Sequence, residues 1–397
     1  MNQAGDDTTH GIDRCERLST RPFWSAVLGI VVGLNCAASQ GNEVACGAAD
    51  GSVAKPPVLR GFNLGARGPA PFSEKDYADL AAYGANVVRI GVNVPISESG
   101  SAFDIAATEW QYVERTVAMG RKHGFKVIIA LVPLPLGEAA VHWARPELKD
   151  SLVGLWATVA ARFKDNPVIA GYDLINEPVT PRDSNQPPPP GDVFKSTGEL
   201  AAPRDRNSDP WRDLAVKIIR AIRTEDADSV VIFEPSPWAL PKGFAELAPL
   251  PMPGVVYSFH FYEPHALTHQ GLYEHRAALN YPSEETTRAS LSRAVEPVRA
   301  FARKHGVPVF VGEFSVVRWA PGDSAARYLN DAIETFEAEG WGWAYHSFRE
   351  YEAWDPELES TLPRGAQAVR SAHATTIRLL VEKGFSKNSR CGRAGTR

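Results

Sequence analysis

Apolar residues gather into eight short runs along the chain, and between the runs they recur at every third or fourth position. The runs are VLRGFNLG (58–65), NVVRIGVN (86–93), KVIIALVP (126–133), VIAGYDLINEP (168–178), SVVIFEPSP (229–237), VVYSFHFYEP (255–264), VPVFVGEFSV (307–316) and GWGWAYHSF (340–348). They are apolar almost continuously rather than at alternate positions, which implies burial on both faces and hence a parallel sheet. The intervening spacing predicts helices over 109–124, 148–165, 211–226, 286–305 and 324–339. Several close on glycine, as in RKHG and EAEG, and the pattern over 364–384 supplies an eighth helix. Eight β-then-α units predict a single α/β domain, a (β/α)8 TIM barrel over 57–385. A doubly wound sheet is the other arrangement that the pattern allows.

Two segments depart from this rhythm. Residues 180–209, after the fourth strand, have little periodicity and four consecutive prolines. A connection of that length in a compact domain serves a function or lacks fixed structure, and its place at the C-terminal face of a barrel suits a binding rim. The other segment is the N-terminus. Arg14, Arg17 and Arg21 precede the twelve-residue apolar run FWSAVLGIVVGL, and small residues follow in NCAASQ. That order predicts an export signal over 1–39, its apolar run too short to span a bilayer, then a tail over 40–56. The chain is therefore expected to be secreted or periplasmic. Of the four cysteines, only Cys46 and Cys391 would survive cleavage, one in each tail; they are either a disulfide or two free thiols, and their spacing fits no metal site.

With 44% hydrophobic and 22% charged residues the composition is that of an ordinary globular chain. The net charge of −5 and the lack of a Lys/Arg cluster argue against a nucleic-acid partner, and no phosphate-cradling glycine motif occurs. The expected partner is a small or polymeric substrate, bound by a monomer without cofactor or metal.

In a parallel barrel the chemistry lies at the C-terminal strand ends. Those ends carry Arg89, Asn176, Glu177, His260, Tyr262, Glu313 and His346. Glu177 and Glu313 stand on the fourth and seventh strands and can face one cleft. Glycoside hydrolysis needs such a pair, one acid to protonate the departing oxygen and one carboxylate to attack or to activate water. Taken singly, each of these side chains has an ordinary structural use; their joint occurrence at strand ends is what points to a site.

As an ordered set, RGFNLG, NVVRIGVN, YDLINEP, HFY, VGEF and the aromatic eighth strand resemble glycoside hydrolase family 5, the cellulase-like retaining glycosidases. The resemblance covers most of residues 57–360. It implies that Glu177 is the acid/base and Glu313 the nucleophile, with Asn176 on the sugar 2-hydroxyl and Tyr262 holding the nucleophile. Arg89 and His260 would orient the carboxylates and tune their charge. It also implies a β-linked glucan-type substrate, with β-mannan or another β-glycoside as the alternative. Two positions depart from the family pattern: Val132 stands where a histidine is common, and His346 where a tryptophan is usual. The platform beneath the sugar then falls to Trp354 or Trp343, with Trp143, Trp238 and Trp319 as further stacking candidates. A non-catalytic carbohydrate-binding barrel is the rival from another class, and a metal hydrolase using His260 and His265 is a third.

Overall fold

The computed structural model describes residues 58–65, 72–134, 145–180, 210–272, 278–362, 364–365, 370, 373 and 375–388. The proposed export segment, Cys46, Cys391, Trp143 and nearly all of the 180–209 connection lie outside these residues. The strands are β1 (Arg60–Leu64), β2 (Val87–Pro95), β3 (Lys126–Leu134), β4 (Ile169–Asp173), β5 (Val231–Phe233), β6 (Val255–Phe261), β7 (Val309–Phe314) and β8 (Gly342–Tyr345). They pair in parallel, each with the next, and β8 closes onto β1, so the sheet is a closed barrel and not a doubly wound sheet.

Helices α1 (Glu74–Ala82), α2 (Ala107–His123), α3 (Pro146–Phe163), α4 (Pro210–Glu225), α5 (His265–Thr268), α6 (Arg288–Ala294), α7 (Glu296–His305), α8 (Ser324–Ala338) and α9 (Thr376–Phe385) occupy the connections. Local chemistry sets their limits. Ser73 and Asp76 form a capping box at the start of α1, and Gly124 and Gly306 take left-handed conformations that end α2 and α7.

Three expectations are corrected. The helix read over 286–305 breaks at Val295, because Pro297 has no N–H and starts a new helix rather than continuing the old one. The last helix begins at Thr376 under a Thr375 cap, not at residue 364; Gly365, at φ +70°, is outside helical geometry. Between β5 and β6 the described chain makes only a 3-10 turn, Pro241–Phe244, where the repeat calls for a helix.

Two layers of packing place the site. A large apolar core lies between strands and helices, while a separate cluster of Val87, Ile128, Ile232, Phe310 and Ala344 fills the barrel interior. Side chains alternate along a strand with period two. Two residues beyond Val87, Ile232 and Ala344 come Arg89, Glu234 and His346. The apolar plug is thus overlaid by a polar layer, and that layer is the floor of the site.

Candidate active site

Arg89, on β2 and 1% exposed, is the centre of this floor. Its guanidinium donates to Asp173 Oδ2 at 2.8 Å, Asn63 Oδ1 at 3.0 Å, Glu313 Oε1 at 3.0 Å, Asn176 Oδ1 at 2.9 Å and Glu234 Oε1 at 2.8 Å. A planar fork with five donors suits such a task; a lysine point charge does not. The bond to Asn176 Oδ1 directs that residue's amide N–H groups away from the arginine, where they are available to a ligand.

Glu177 follows the end of β4 with φ +51°, a left-handed conformation that a non-glycine residue adopts rarely and usually for a functional reason. Its backbone N–H donates to Glu234 Oε2 at 2.7 Å. Its carboxylate meets His260 Nδ1 at 2.8 Å, and the other ring nitrogen of His260 meets Glu234 Oε1 at 2.9 Å. Glu234 therefore ties together the backbone of Glu177, the imidazole beside it and the arginine that reaches Glu313. On the opposite side, the Tyr262 hydroxyl donates to Glu313 Oε2 at 2.9 Å, and His346 Nδ1 lies 3.8 Å from the same oxygen.

These surroundings separate the two glutamates. Burial pushes both carboxyls up. For Glu313 it is outweighed by the positive charges of His260, His346 and Arg89 and by the Tyr262 bond, which hold the group at about 2. For Glu177 burial prevails over the His260 contact, helped by the negative charges of Glu313 and Glu234, and its carboxyl stays above the usual range. Burial alone would discharge His260, yet the neighbouring Glu234 and Glu313 hold it well above its ordinary range, so both ring nitrogens donate. Burial and the Glu313 charge push the Tyr262 phenol up, so it remains a donor.

All of Arg89, Asn176, Glu177, His260, Tyr262, Glu313 and His346 are brought together. Trp354 packs behind them, its ring 5.2 Å from His346 and 6.2 Å from Tyr262. Trp343 is no platform: it is fully buried against the helix layer, stacked on Phe385, with its N–H on Glu337. Trp319 lies under Arg318 and Arg364, away from the carboxylates. Val132 is buried at the end of β3 and brings no polar group. Sequence reasoning missed Asn63, Asp173 and Glu234. The signal was present, since each is a polar residue in or just beyond an otherwise apolar run.

Among the described residues, one group has metal-ligating atoms close together: Glu177, His260 and Glu313, within 4.8 Å of one another. His265 is not part of it and stacks on His269 at 3.7 Å. Within the group Glu177 is hydrogen-bonded to His260, while His260 also meets Glu234 and Glu313 accepts from Tyr262 and Arg89.

A closed parallel barrel carrying two adjacent glutamates of opposed acidity at its C-terminal strand ends defines a glycoside hydrolase. Residues 50–352 match the family described as cellulase (glycosyl hydrolase family 5), and the chain belongs to that family. A β-xylosidase of Phanerodontia chrysosporium is 23% identical over 301 residues, 70% of this chain and 56% of the relative, so the chain spans little more than half of that protein. Endoglucanase C of Acetivibrio thermocellus is 21% identical over 311 residues, 69% of this chain and 83% of the relative. Among solved structures, an endoglucanase of Thermotoga maritima has the same fold, with a TM-score of 0.59 at 21% identity over 75% of this chain and 91% of that one.

Proposed function

We propose that the chain is a secreted, retaining β-glycosidase acting on β-linked glucan-type chains, with Glu177 as acid/base and Glu313 as nucleophile. The observation that carries the reading is the closeness of the pair: a carboxylate oxygen of each lies within 4.8 Å of the other. Retaining enzymes hold their carboxyls about 5–5.5 Å apart, whereas inverting ones leave about 6.5–9.5 Å for a water. In the first step Glu313 attacks the anomeric carbon while Glu177 gives its proton to the departing oxygen. Esterification removes the negative charge of Glu313, one of the causes that keep the Glu177 carboxyl high. Glu177 then works as a base and takes a proton from the water that releases the sugar. Tyr262 and Arg89 hold the nucleophile, and Asn176 offers its amide to the sugar 2-hydroxyl.

A β-glucan is favoured over β-mannan or another β-glycoside by the endoglucanase relatives; the β-xylosidase shows that sequences this similar reach other sugars. Export is supported by the basic, apolar and small-residue order of 1–39, with 40–56 and 386–397 as tails of a monomeric barrel. Among the described residues no helix is long and apolar enough to cross a membrane. The test is product stereochemistry with glutamate variants. The first-formed anomer, read by NMR on an aryl β-glycoside, retains configuration. Glu177→Ala stays active on good leaving groups and gives a β-glycosyl azide with added azide; Glu313→Ala gives neither. An inverted product overturns the mechanism, and the opposite azide pattern exchanges the two roles.

A further inference from the structure

We propose that a hollow between the loops following β7 and β8 binds a tetrahedral oxyanion, phosphate or sulfate, and that this ion braces the loop carrying Trp354. The site shares no residue with the catalytic floor, and the inference does not depend on the glycosidase reading.

The hollow has a volume of about 140 Å³ and is lined from residues 318–326, 358–360 and 375–377. Helices α8 and α9, of fifteen and ten residues, both begin there. The first turn of a helix presents N–H groups without intrahelical acceptors and a partial positive charge, which together favour an anion. At α8 the residue placed to cap that turn is Asp323, yet its carboxylate accepts from Arg327 Nε at 2.6 Å and makes no cap. Ser324 Oγ is likewise engaged elsewhere, accepting from the Tyr281 N–H at 2.9 Å. At α9 the Thr375 hydroxyl takes the Arg378 N–H at 3.1 Å and donates to Pro356 O, so it serves neither Thr376 nor Ile377. The uncapped Ala325, Ala326, Thr376 and Ile377 all line the hollow.

Arg318 supplies an independent observation. It lines the same hollow and is 1% exposed. Its Nε donates to Glu352 O at 2.9 Å, and its Nη1 to Glu359 O and Leu362 O, both at 2.7 Å. Its Nη2 is buried and has no hydrogen-bond partner among the described residues; Glu352 Oε2, at 3.7 Å, is beyond reach. A buried charged donor left unsatisfied is costly. Burial pulls the pKa of this guanidinium down, and the negative charges of Glu352 and Asp355 do not restore it, so its charge is incompletely balanced. The two acids of the lining leave that imbalance in place: Asp323 is paired with Arg327, and Glu359 is exposed. Many parallel barrels hold a phosphate between the loops after their seventh and eighth strands, an analogy of fold that agrees with the local chemistry.

The consequence for the loop follows from the other contacts of Arg318. Its backbone N–H donates to Ala353 O at 2.8 Å, one residue before Trp354. An oxyanion on Nη2 and the two helix ends ties α8, α9 and the 352–362 segment to one point.

The experiment follows the Tm of the full chain by circular dichroism in sodium phosphate and sodium sulfate, against sodium chloride at equal ionic strength. Phosphate is expected to raise Tm along a saturating curve, by about 4 °C at about 100 times its Kd. Glucose 6-phosphate separates the sources: a saturating rise from either form supports the oxyanion site, and the form that saturates at the lower concentration is its ligand. Ala326→Glu sets a carboxylate at the same helix end and is expected to abolish the rise, as is Arg318→Gln. Should the arginine variant fail to fold, Ala326→Glu decides. No rise beyond the chloride control overturns the proposal. So does a rise that grows without saturating, as general salt exclusion would give, or one that Ala326→Glu leaves unchanged.

Discussion

Arg89→Met takes a guanidinium out of a site that was built around it. Methionine fills much of the same volume, so the loss is of charge and hydrogen bonds rather than of packing. Five oxygens lose a donor, three of them on the carboxylates of Asp173, Glu234 and Glu313. Glu234 keeps His260 and the Glu177 N–H. Asp173 keeps no side-chain partner among the described residues, and it is fully buried. Removing one member of a buried ion pair costs about 3–5 kcal/mol, here because buried acceptors lose their donor and the remaining carboxylates lose a neighbouring positive charge. A barrel of about 330 residues unfolds with an entropy near 0.7 kcal/mol/K, which makes the expected fall in Tm about 4–7 °C.

The same substitution has a second signature at Glu313. Arg89 is one of the charges that hold Glu313 at about 2. Without it the carboxyl moves toward its ordinary value, and the acid limb of kcat/KM moves to higher pH. Circular dichroism melts and a pH–rate profile on an aryl β-glycoside measure the two effects. Arg89→Lys restores a charge but reaches fewer of the five acceptors, so its Tm lies between the others. An unchanged Tm together with an unmoved acid limb would refute the central place given to this residue.

For the wild-type enzyme, kcat/KM falls at low pH as Glu313 gains a proton near 2, below an ordinary carboxylate, and at high pH as Glu177 loses its proton, above one; a narrow bell around the ordinary carboxylate range contradicts the opposed shifts. Glu234→Gln removes the leading cause of the raised His260 imidazolium, so NMR should find that ring titrating at lower pH than in the wild type, and an unmoved titration removes Glu234 from its positioning role. Gly61→Ala sets a methyl 1.7 Å from the Val87 carbonyl oxygen, where β1 and β2 are in register, and is expected to cost about 3 kcal/mol or more in urea unfolding; a near-neutral result means that the strands can part there without penalty.

The barrel was legible because its strands are buried on both faces and so read as unbroken apolar runs. That same feature hid the floor of the site. With no alternation of polar and apolar residues, the sequence does not say which side chains face inward, and Glu234 reads like any acid at a strand end. Its place becomes visible only when closure sets it two residues above Ile232, in one layer with Arg89 and His346. Glu177 and Glu313 were found sooner, because their chemistry requires a pair and only two strand ends carried a matched acid within a recognisable motif. The break at Val295 had a local cause in Pro297, visible beforehand but outweighed by the apolar spacing on either side of it. The absent helix between β5 and β6 was marked in the same way, by Pro237, Pro241, Pro249, Pro251 and Pro253, but Trp238, Leu240, Phe244 and Leu247 are apolar enough to pass for the face of one.

The polar floor also explains why two glutamates so close together differ so much. Asp173, Glu177, Glu234 and Glu313 share two buried cations, Arg89 and His260, with His346 at the edge. Full ionisation would leave four negative charges against those two cations in a space with little water, so protons must be distributed among the acids. Burial favours protonation everywhere, and proximity to cations decides where it loses. Glu313 is reached by both cations and a phenol, and stays ionised; Asp173, deepest and next to Glu234, is pushed well up despite its bond to Arg89. Glu177 has only the shared imidazole, and burial holds its carboxyl above the usual range. The opposed acidity of the two glutamates is thus set by the floor beneath them, and a single change there, at Arg89 or Glu234, is expected to move both.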